Sequence, residues 1–119
     1  MDIRFSGINL HSRNPAKTLD FYKALGLTVL EEPAPDDKWY GARLALTDEE
    51  KTPVIWIWRR GENEADYRNH IVFDAVEGLE AVYARLCAAG ISCEPPFTAA
   101  WGGRELLLCD PDGNEVLFL

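Results

Sequence analysis

The chain has 119 residues, of which 47% are hydrophobic and 27% are charged, and its formal net charge is −8. This size fits one compact domain that folds without disulfides or bound metal. The acidic balance argues against a nucleic-acid partner, because phosphate binding needs a basic face. No stretch approaches the roughly 20 apolar residues that span a bilayer, so no membrane partner is expected.

The cysteines and the N-terminal residues indicate in which cellular compartment the protein is expected. Cys87, Cys93 and Cys109 show no metal-ligand spacing, and an odd number of cysteines is typical of a reducing environment. The first residues lack the basic region and apolar run of a signal peptide. We therefore expect a soluble, cytoplasmic protein.

The first half of the chain predicts a strand, a helix and three more strands. "FSGINLHS" alternates as a strand does, and "NPAKTLDFYKALG" predicts a helix that Asn14 caps and Gly26 ends. The three strands that follow are "LTVLEEP", "KWYGARLALT" and "TPVIWIWRR".

After the connecting segment "GENEADYRN" the same order of elements returns. "HIVFDA" predicts a strand, and "VEGLEAVYARLCAAG" predicts a helix that ends at Gly90. The last three predicted strands are "ISCEPP", "GRELLLCD" and "NEVLFL". The two halves are in phase to within one residue, which indicates an internal duplication.

The duplication predicts an α+β fold of two βαβββ modules, about residues 3–60 and 68–119, within a single domain over residues 1–119. Each module forms a curled mixed sheet with a helix on its convex side, and its other face lines a concave cup. A module of this size cannot bury its concave face without a partner. We expect the modules to pair, either within one chain or across a homodimer.

The predicted cup is rich in aromatic side chains. Trp56 and Trp58 stand two apart in "VIWIW" and share a strand face, Trp39 and Tyr40 begin the third strand, and Trp101 lies in "AAWGGRE". Such side chains stack on flat or cationic ligands and gain about 0.5–1.5 kcal/mol per pair beyond area burial. The alternative is that they fill the sheet core or a dimer interface.

Four polar residues complete the predicted ligand-binding set. Asn9 and His11 share a face of the first strand, and His70 opens the fifth strand, where an imidazole can exchange protons near neutral pH. Arg104 either anchors an anionic group or pairs with a carboxylate such as Glu105. No nucleophile–base arrangement or phosphate loop is present, so no catalytic residue is predicted.

Three segments resemble the vicinal oxygen chelate superfamily, which includes glyoxalases, extradiol dioxygenases, fosfomycin resistance enzymes and bleomycin resistance proteins. They are "GINLHSRNPAKTLDFYKALGL", "NHIVFDAVEGLEAVYARLCAAGI" and "GGRELLLCDPDGNEVLFL". The resemblance implies the duplicated fold. In the metal-using members it also implies a set of His and Glu ligands suited to Zn, Mn, Ni or Fe.

Carried onto this sequence, three of those ligand positions fall on Gly7, His70 and Leu117. Trp56 or Trp58 stands where some members place a Glu. The nearest substitutes are displaced along their strands, Glu115 by about 7 Å from Leu117 and His11 by about 13 Å from Gly7. Only His70 is retained, so we predict no metal site and no cofactor.

The segment "WGGRELLLCDPDGN" further resembles bleomycin resistance proteins, which are acidic and dimeric and sequester a cationic aromatic glycopeptide. The resemblance implies a metal-independent homodimer that binds a small molecule, planar and cationic, such as an antibiotic, in an aromatic-lined cleft. Two alternatives stay open. One is a metal-dependent glyoxalase-type lyase, isomerase or dioxygenase that uses His70, and the other is a structural or regulatory dimer module with no open pocket.

Overall fold

The computed structural model describes residues 5–34, 36, 38–61 and 69–119. The chain divides into two compact units, Met1–Asp66 and Tyr67–Leu119. Each unit has its own sheet and its own helix. The connecting segment "GENEADYRN" lies outside the described residues except for Gly61 and Asn69.

The first unit is a four-stranded mixed sheet with one helix. Its elements are β1 (Gly7–Ser12), α1 (Pro15–Leu25), β2 (Thr28–Glu31), β3 (Ala42–Ala45) and β4 (Val54–Arg59). The strands are ordered β1-β4-β3-β2, with β1 parallel to β4 and the other neighbours antiparallel. The mixed sheet predicted for this half is confirmed.

Helix α1 begins and ends where its sequence predicts. The Asn14 side chain accepts a hydrogen bond from the Lys17 amide, and Pro15 occupies the first turn, where a missing N–H is harmless. Gly26 ends the helix with φ 113°, and its amide donates to the Lys23 carbonyl. A glycine is favoured there because side chains rarely adopt this backbone conformation.

One face of the first sheet packs against α1 and forms the core of the unit. Leu10, Leu44 and Ile57, from three adjacent strands, are completely buried on this face. Tyr22 from α1 is also completely buried. Because side chains alternate along a strand, the residues between these apolar ones lie on the opposite face, away from the helix.

The second unit repeats the architecture of the first. Its elements are β5 (His70–Phe73), α2 (Leu79–Ala88), β6 (Phe97–Thr98), β7 (Arg104–Cys109) and β8 (Glu115–Phe118). The order β5-β8-β7-β6 mirrors the first sheet, and β5 is parallel to β8. The predicted two-module α+β repeat is therefore confirmed.

Two predicted boundaries in this half are wrong. "ISCEPP" is not a strand, and pairing begins only at Phe97, because Pro95 and Pro96 have no amide to donate to a neighbouring strand. Helix α2 starts at Leu79 rather than near Val76, since Gly78 adopts φ 98° and ψ 152°, outside the helical region.

The "DPDGN" turn sets the register of the last strand. The Asp110 carboxylate accepts hydrogen bonds from the amides of Asp112 and Asn114, each at 2.9 Å. The Asn114 side-chain oxygen accepts from the Asn69 amide at 2.7 Å. Both Asp110 and Asn114 are buried, so this network fixes β8 beside the start of β5.

Both helices are short, with 11 residues in α1 and 10 in α2. Within the described ranges, neither is long and apolar enough to cross a membrane.

Candidate functional site

The face of the first sheet that points away from α1 collects polar and aromatic side chains. Strand pairing aligns Asn9 with Trp56, His11 with Trp58 and Arg43 with both Trp56 and Glu31. We call this surface the sheet-1 open face and define it by six residues, Asn9, His11, Glu31, Arg43, Trp56 and Trp58. Four of them belong to the ligand-binding set predicted from the sequence.

The two tryptophans of β4 form a stacked pair. Their ring centroids are 4.8 Å apart and the planes differ by 15°. The Trp58 indole N–H donates to the Asn9 side-chain oxygen at 2.8 Å, which holds the Trp58 ring toward its neighbour. Because the rings already touch, a flat ligand stacks beside the pair rather than between its members.

Arg43 was not predicted as a site residue, and the structure places it beside the tryptophans. Its guanidinium carbon lies 5.6 Å from the centroid of the Trp56 ring. The Arg43 terminal nitrogen is 3.9 Å from the Glu31 carboxylate. The alternation of "ARLA", which leaves Arg43 on the face opposite the buried Leu44, was the sequence signal for this position.

Trp39 and Tyr40 were expected at the start of the third strand but lie in the turn before it. Tyr40 has φ 79° and Gly41 has φ 68°, so the chain turns sharply here and β3 begins only at Ala42. Trp39 is 58% exposed, and the Lys38 ammonium lies 5.1 Å from the centroid of its ring. Both aromatic residues are thus in the first unit but outside its strands.

The pKa of the Tyr40 hydroxyl is higher than that of an ordinary tyrosine. Burial raises the pKa of its hydroxyl above the usual 10.0, and the charges of Asp20 and Glu32 raise this pKa further, while Arg59 opposes them. The folded state therefore holds this proton more tightly than the unfolded chain does. The stabilising effect is present below pH 10 and is lost as the pH rises through the folded-state pKa.

The Tyr40→Phe variant should consequently lose less stability than the wild type between neutral and strongly alkaline pH. We expect the two proteins to have similar urea midpoints at neutral pH, with the variant's midpoint higher above pH 10. Urea unfolding at a series of pH values measures the difference. Equal midpoints across the alkaline range would contradict the role given to Tyr40.

In the second unit, the face of the sheet opposite α2 carries His70. Strand pairing aligns His70 with Glu115, and Glu115 with Cys109, across three adjacent strands. The neighbouring row is apolar and aligns Val72 with Leu117 and Leu117 with Leu107. Leu117 is buried within this row, at 8% exposure, and contributes an apolar wall there.

Trp101 is an exposed aromatic residue in the same unit, and a hydrogen bond orients its ring. The residue is 67% exposed, and its indole N–H donates to the Glu105 carboxylate at 2.6 Å. The ring lies directly over Gly103, where a Cβ would come within 1.7 Å of a ring carbon. A glycine at position 103 is therefore needed for this ring position.

The Gly103→Ala variant should displace the Trp101 ring without unfolding the unit. The clash involves only the end of a side chain, which can rotate away, so we expect the free energy of unfolding to change by less than about 1 kcal/mol. Quenching of tryptophan fluorescence by acrylamide, compared with the same measurement on Trp101→Phe, reports the ring's new exposure. A large loss of stability would show that the ring has no other position to take.

Arg104 lies on the opposite side of this sheet from His70. It alternates with the buried residues Leu106 and Leu108 and forms an ion pair with Glu80 in the first turn of α2. The Arg104 hydrogen bond holds the pKa of the Glu80 carboxyl below its usual range. Of the two roles considered for Arg104, pairing with a carboxylate is the one observed, although the partner is Glu80 rather than Glu105.

Gly7 and Leu117, which the resemblance places at ligand positions of the superfamily, do not fit a metal ion. Gly7 has φ 135°, and a Cβ there would lie 1.8 Å from the Val54 carbonyl oxygen, so no larger residue fits without moving the backbone. Leu117 offers no donor atom. Across the described part of the chain, no group of three or more His, Cys, Asp or Glu residues is arranged to hold a metal.

A duplicated βαβββ fold with one open sheet face in each unit is the architecture of glyoxalase-type proteins. The family model described as Glyoxalase/Bleomycin resistance protein/Dioxygenase superfamily matches residues 4–118, and the chain belongs to this superfamily. The resemblance identified from the sequence is confirmed.

Solved structures with the same fold include proteins of different kinds. TnmS3, an antibiotic binding protein from Streptomyces sp. CB03234, is 18% identical with a TM-score of 0.76, over 98% of this chain and 94% of that one. A bleomycin-binding protein complexed with bleomycin is 20% identical with a TM-score of 0.69, over 99% and 97%. A lactoylglutathione lyase from Agrobacterium tumefaciens is 16% identical with a TM-score of 0.71, over 99% and 93%. At these identities the likeness concerns the fold, so function has to be argued from the residues of this chain.

Proposed function

We propose that this protein binds a flat small molecule, such as an antibiotic, in an aromatic-lined cleft and sequesters it without a metal ion. The observation that carries the proposal is the stacked pair of Trp56 and Trp58, held by Asn9 on the sheet-1 open face. Partly exposed, pre-oriented aromatic rings lose little entropy when they bind a planar ligand.

Two further observations support this function. Two of the three ligand positions inferred from the resemblance hold Gly7 and Leu117, whose side chains supply no donor atoms. Structures of similar fold include a bleomycin-binding protein and an antibiotic binding protein. As parts of the proposal, the protein acts as a cytoplasmic homodimer, and Trp39, Tyr40, His70 and Trp101 also take part in ligand binding.

Calorimetric titration of chelator-treated protein with bleomycin and other planar compounds tests the function. We expect at least one compound to bind saturably, and Trp56→Ala and Trp101→Ala to weaken it. Tyr83→Ala, on helix α2, is the matched control and should leave the affinity unchanged. The proposal is wrong if no planar compound binds, or if the tryptophan variants bind as tightly as the control.

The rival enzymatic function makes a separate prediction. A glyoxalase-type lyase, isomerase or dioxygenase built on His70 requires a stoichiometric metal ion, so Zn, Mn, Ni or Fe(II) would bind the wild type and not His70→Ala. Because His70 is the only ligand retained at the superfamily's positions, we expect titration with these metals to give no saturable binding above the background of His70→Ala.

A further inference from the structure

Arg43 is the one lysine or arginine among the six residues of the sheet-1 open face. It is the cross-strand partner of Trp56, and its guanidinium carbon lies 5.6 Å from the centroid of that ring. A ligand that contacts the Trp56 side of the Trp56–Trp58 pair therefore comes within reach of a guanidinium. An arginine offers five N–H donors in a planar fork that matches the two oxygens of a carboxylate.

Within the described residues, Arg43 makes no side-chain hydrogen bond that uses these donors. The Glu31 oxygen is 3.9 Å from the nearest Arg43 nitrogen, too far for a hydrogen bond, and its side chain is 52% exposed. The Arg43 Nε atom is buried and has no hydrogen-bond partner in the described part of the chain. A buried donor without a partner is unfavourable. The Arg43 side chain is 36% exposed, so the accessible part of its guanidinium can meet a ligand oxygen.

The neighbouring groups limit what else the guanidinium can do. Asn9 already accepts from Trp58, so its side-chain oxygen is engaged, and one face of the Trp56 ring is covered by Trp58. A strong internal ion pair would neutralise Arg43, but Glu31 lies at a distance and exposure where such pairs are weak. The charge on Arg43 is thus available to a bound molecule.

We infer that the sheet-1 open face selects flat aromatic molecules that carry a carboxylate or similar oxyanion, with the ring beside Trp56 and Trp58 and the oxyanion on Arg43. This inference rests on the proposed function and adds the charge of the ligand's anchoring group. It differs from the expectation drawn from the net charge of −8, which favours a cationic ligand, because the charge nearest the rings is positive.

Three naphthalene compounds of nearly equal size and different charge provide the test. They are 2-naphthoate, the neutral 2-naphthamide and the cationic 2-naphthylmethylammonium, each titrated calorimetrically into the wild type. We expect the carboxylate to bind at least about tenfold more tightly than the amide, as a charge-assisted, two-point hydrogen bond should allow. The ammonium compound should bind most weakly.

Two variants with opposite expected effects assign the selectivity to Arg43. Arg43→Gln should remove the preference for the carboxylate and leave the affinity for the amide within about twofold of the wild type. Glu31→Gln, an exposed substitution on the adjacent strand β2, should strengthen binding of the carboxylate by about two- to threefold because it removes a competing negative charge. Circular dichroism and thermal melting check that each variant is folded.

The outcomes separate this inference from the proposed function. If the three compounds bind alike, if the ammonium compound binds best, or if folded Arg43→Gln keeps the preference, the inference is overturned while aromatic binding stands. If neither these compounds nor any other planar molecule binds, both the inference and the proposed function are overturned.

Discussion

Gly7→His should unfold at a clearly lower urea concentration than the wild type and should gain no affinity for metal. The resemblance to metal-using members of the superfamily places a ligand at position 7, so this substitution is the obvious way to rebuild a metal site. The backbone prevents it, because φ is 135° and a Cβ would lie 1.8 Å from the Val54 carbonyl oxygen. Backbone strain and forced displacement of β4 together should reduce the free energy of unfolding by about 3 kcal/mol or more.

Two glycine variants serve as controls for this result. Gly26→Ala introduces the same kind of strain, at φ 113°, but a Cβ there meets nothing within 4 Å. We expect it to reduce stability by about 1–2 kcal/mol. Gly7→Ala should cost more than Gly26→Ala, since it adds the clash to the strain. If Gly7→His is as stable as the wild type and binds zinc, the interpretation of this position is wrong.

Trp58→Ala should have the largest effect on ligand binding, with a loss of affinity of at least about tenfold, or 1.4 kcal/mol. The substitution removes one stacking plane and also frees the Trp56 ring from the partner that orients it at 4.8 Å. Calorimetric titration with the tightest planar ligand measures the loss.

Asn9→Ala isolates the orienting part of this effect. It keeps both tryptophan side chains but removes the 2.8 Å hydrogen bond that orients the Trp58 indole. We expect a loss of ligand affinity of about threefold, smaller than that of Trp58→Ala, and a weaker exciton signal from the tryptophan pair in circular dichroism.

Unchanged affinity in Trp58→Ala would show that the ligand binds elsewhere.

The fold was largely predictable because its signals are local and repeated. Asn14 and Gly26 mark the two ends of α1 by backbone chemistry that neighbouring residues do not alter. The predicted element boundaries are wrong where a glycine or proline prevents the secondary structure that the neighbouring residues favour. Gly78 delays the start of α2, and Pro95 and Pro96 prevent the strand that the apolar alternation of "ISCEPP" suggests.

The candidate site was predictable only in part. Strand alternation alone places Trp56 and Trp58 on one face, and this was found from the sequence. The position of Arg43 depends on how β3 pairs with β4, and the hydrogen bond from Trp58 to Asn9 joins residues 49 positions apart. Such cross-strand neighbours follow from register, which a single sequence does not fix.

The most direct test of the central claim is to follow the four tryptophan indole N–H signals by NMR while the tightest planar ligand is added to chelator-treated protein. The account predicts that the signals of Trp56 and Trp58 shift together and saturate at the calorimetric affinity. If these two signals stay still while those of Trp39 or Trp101 move, or if binding begins only when metal is restored, the claim of a metal-independent site on the sheet-1 open face is contradicted.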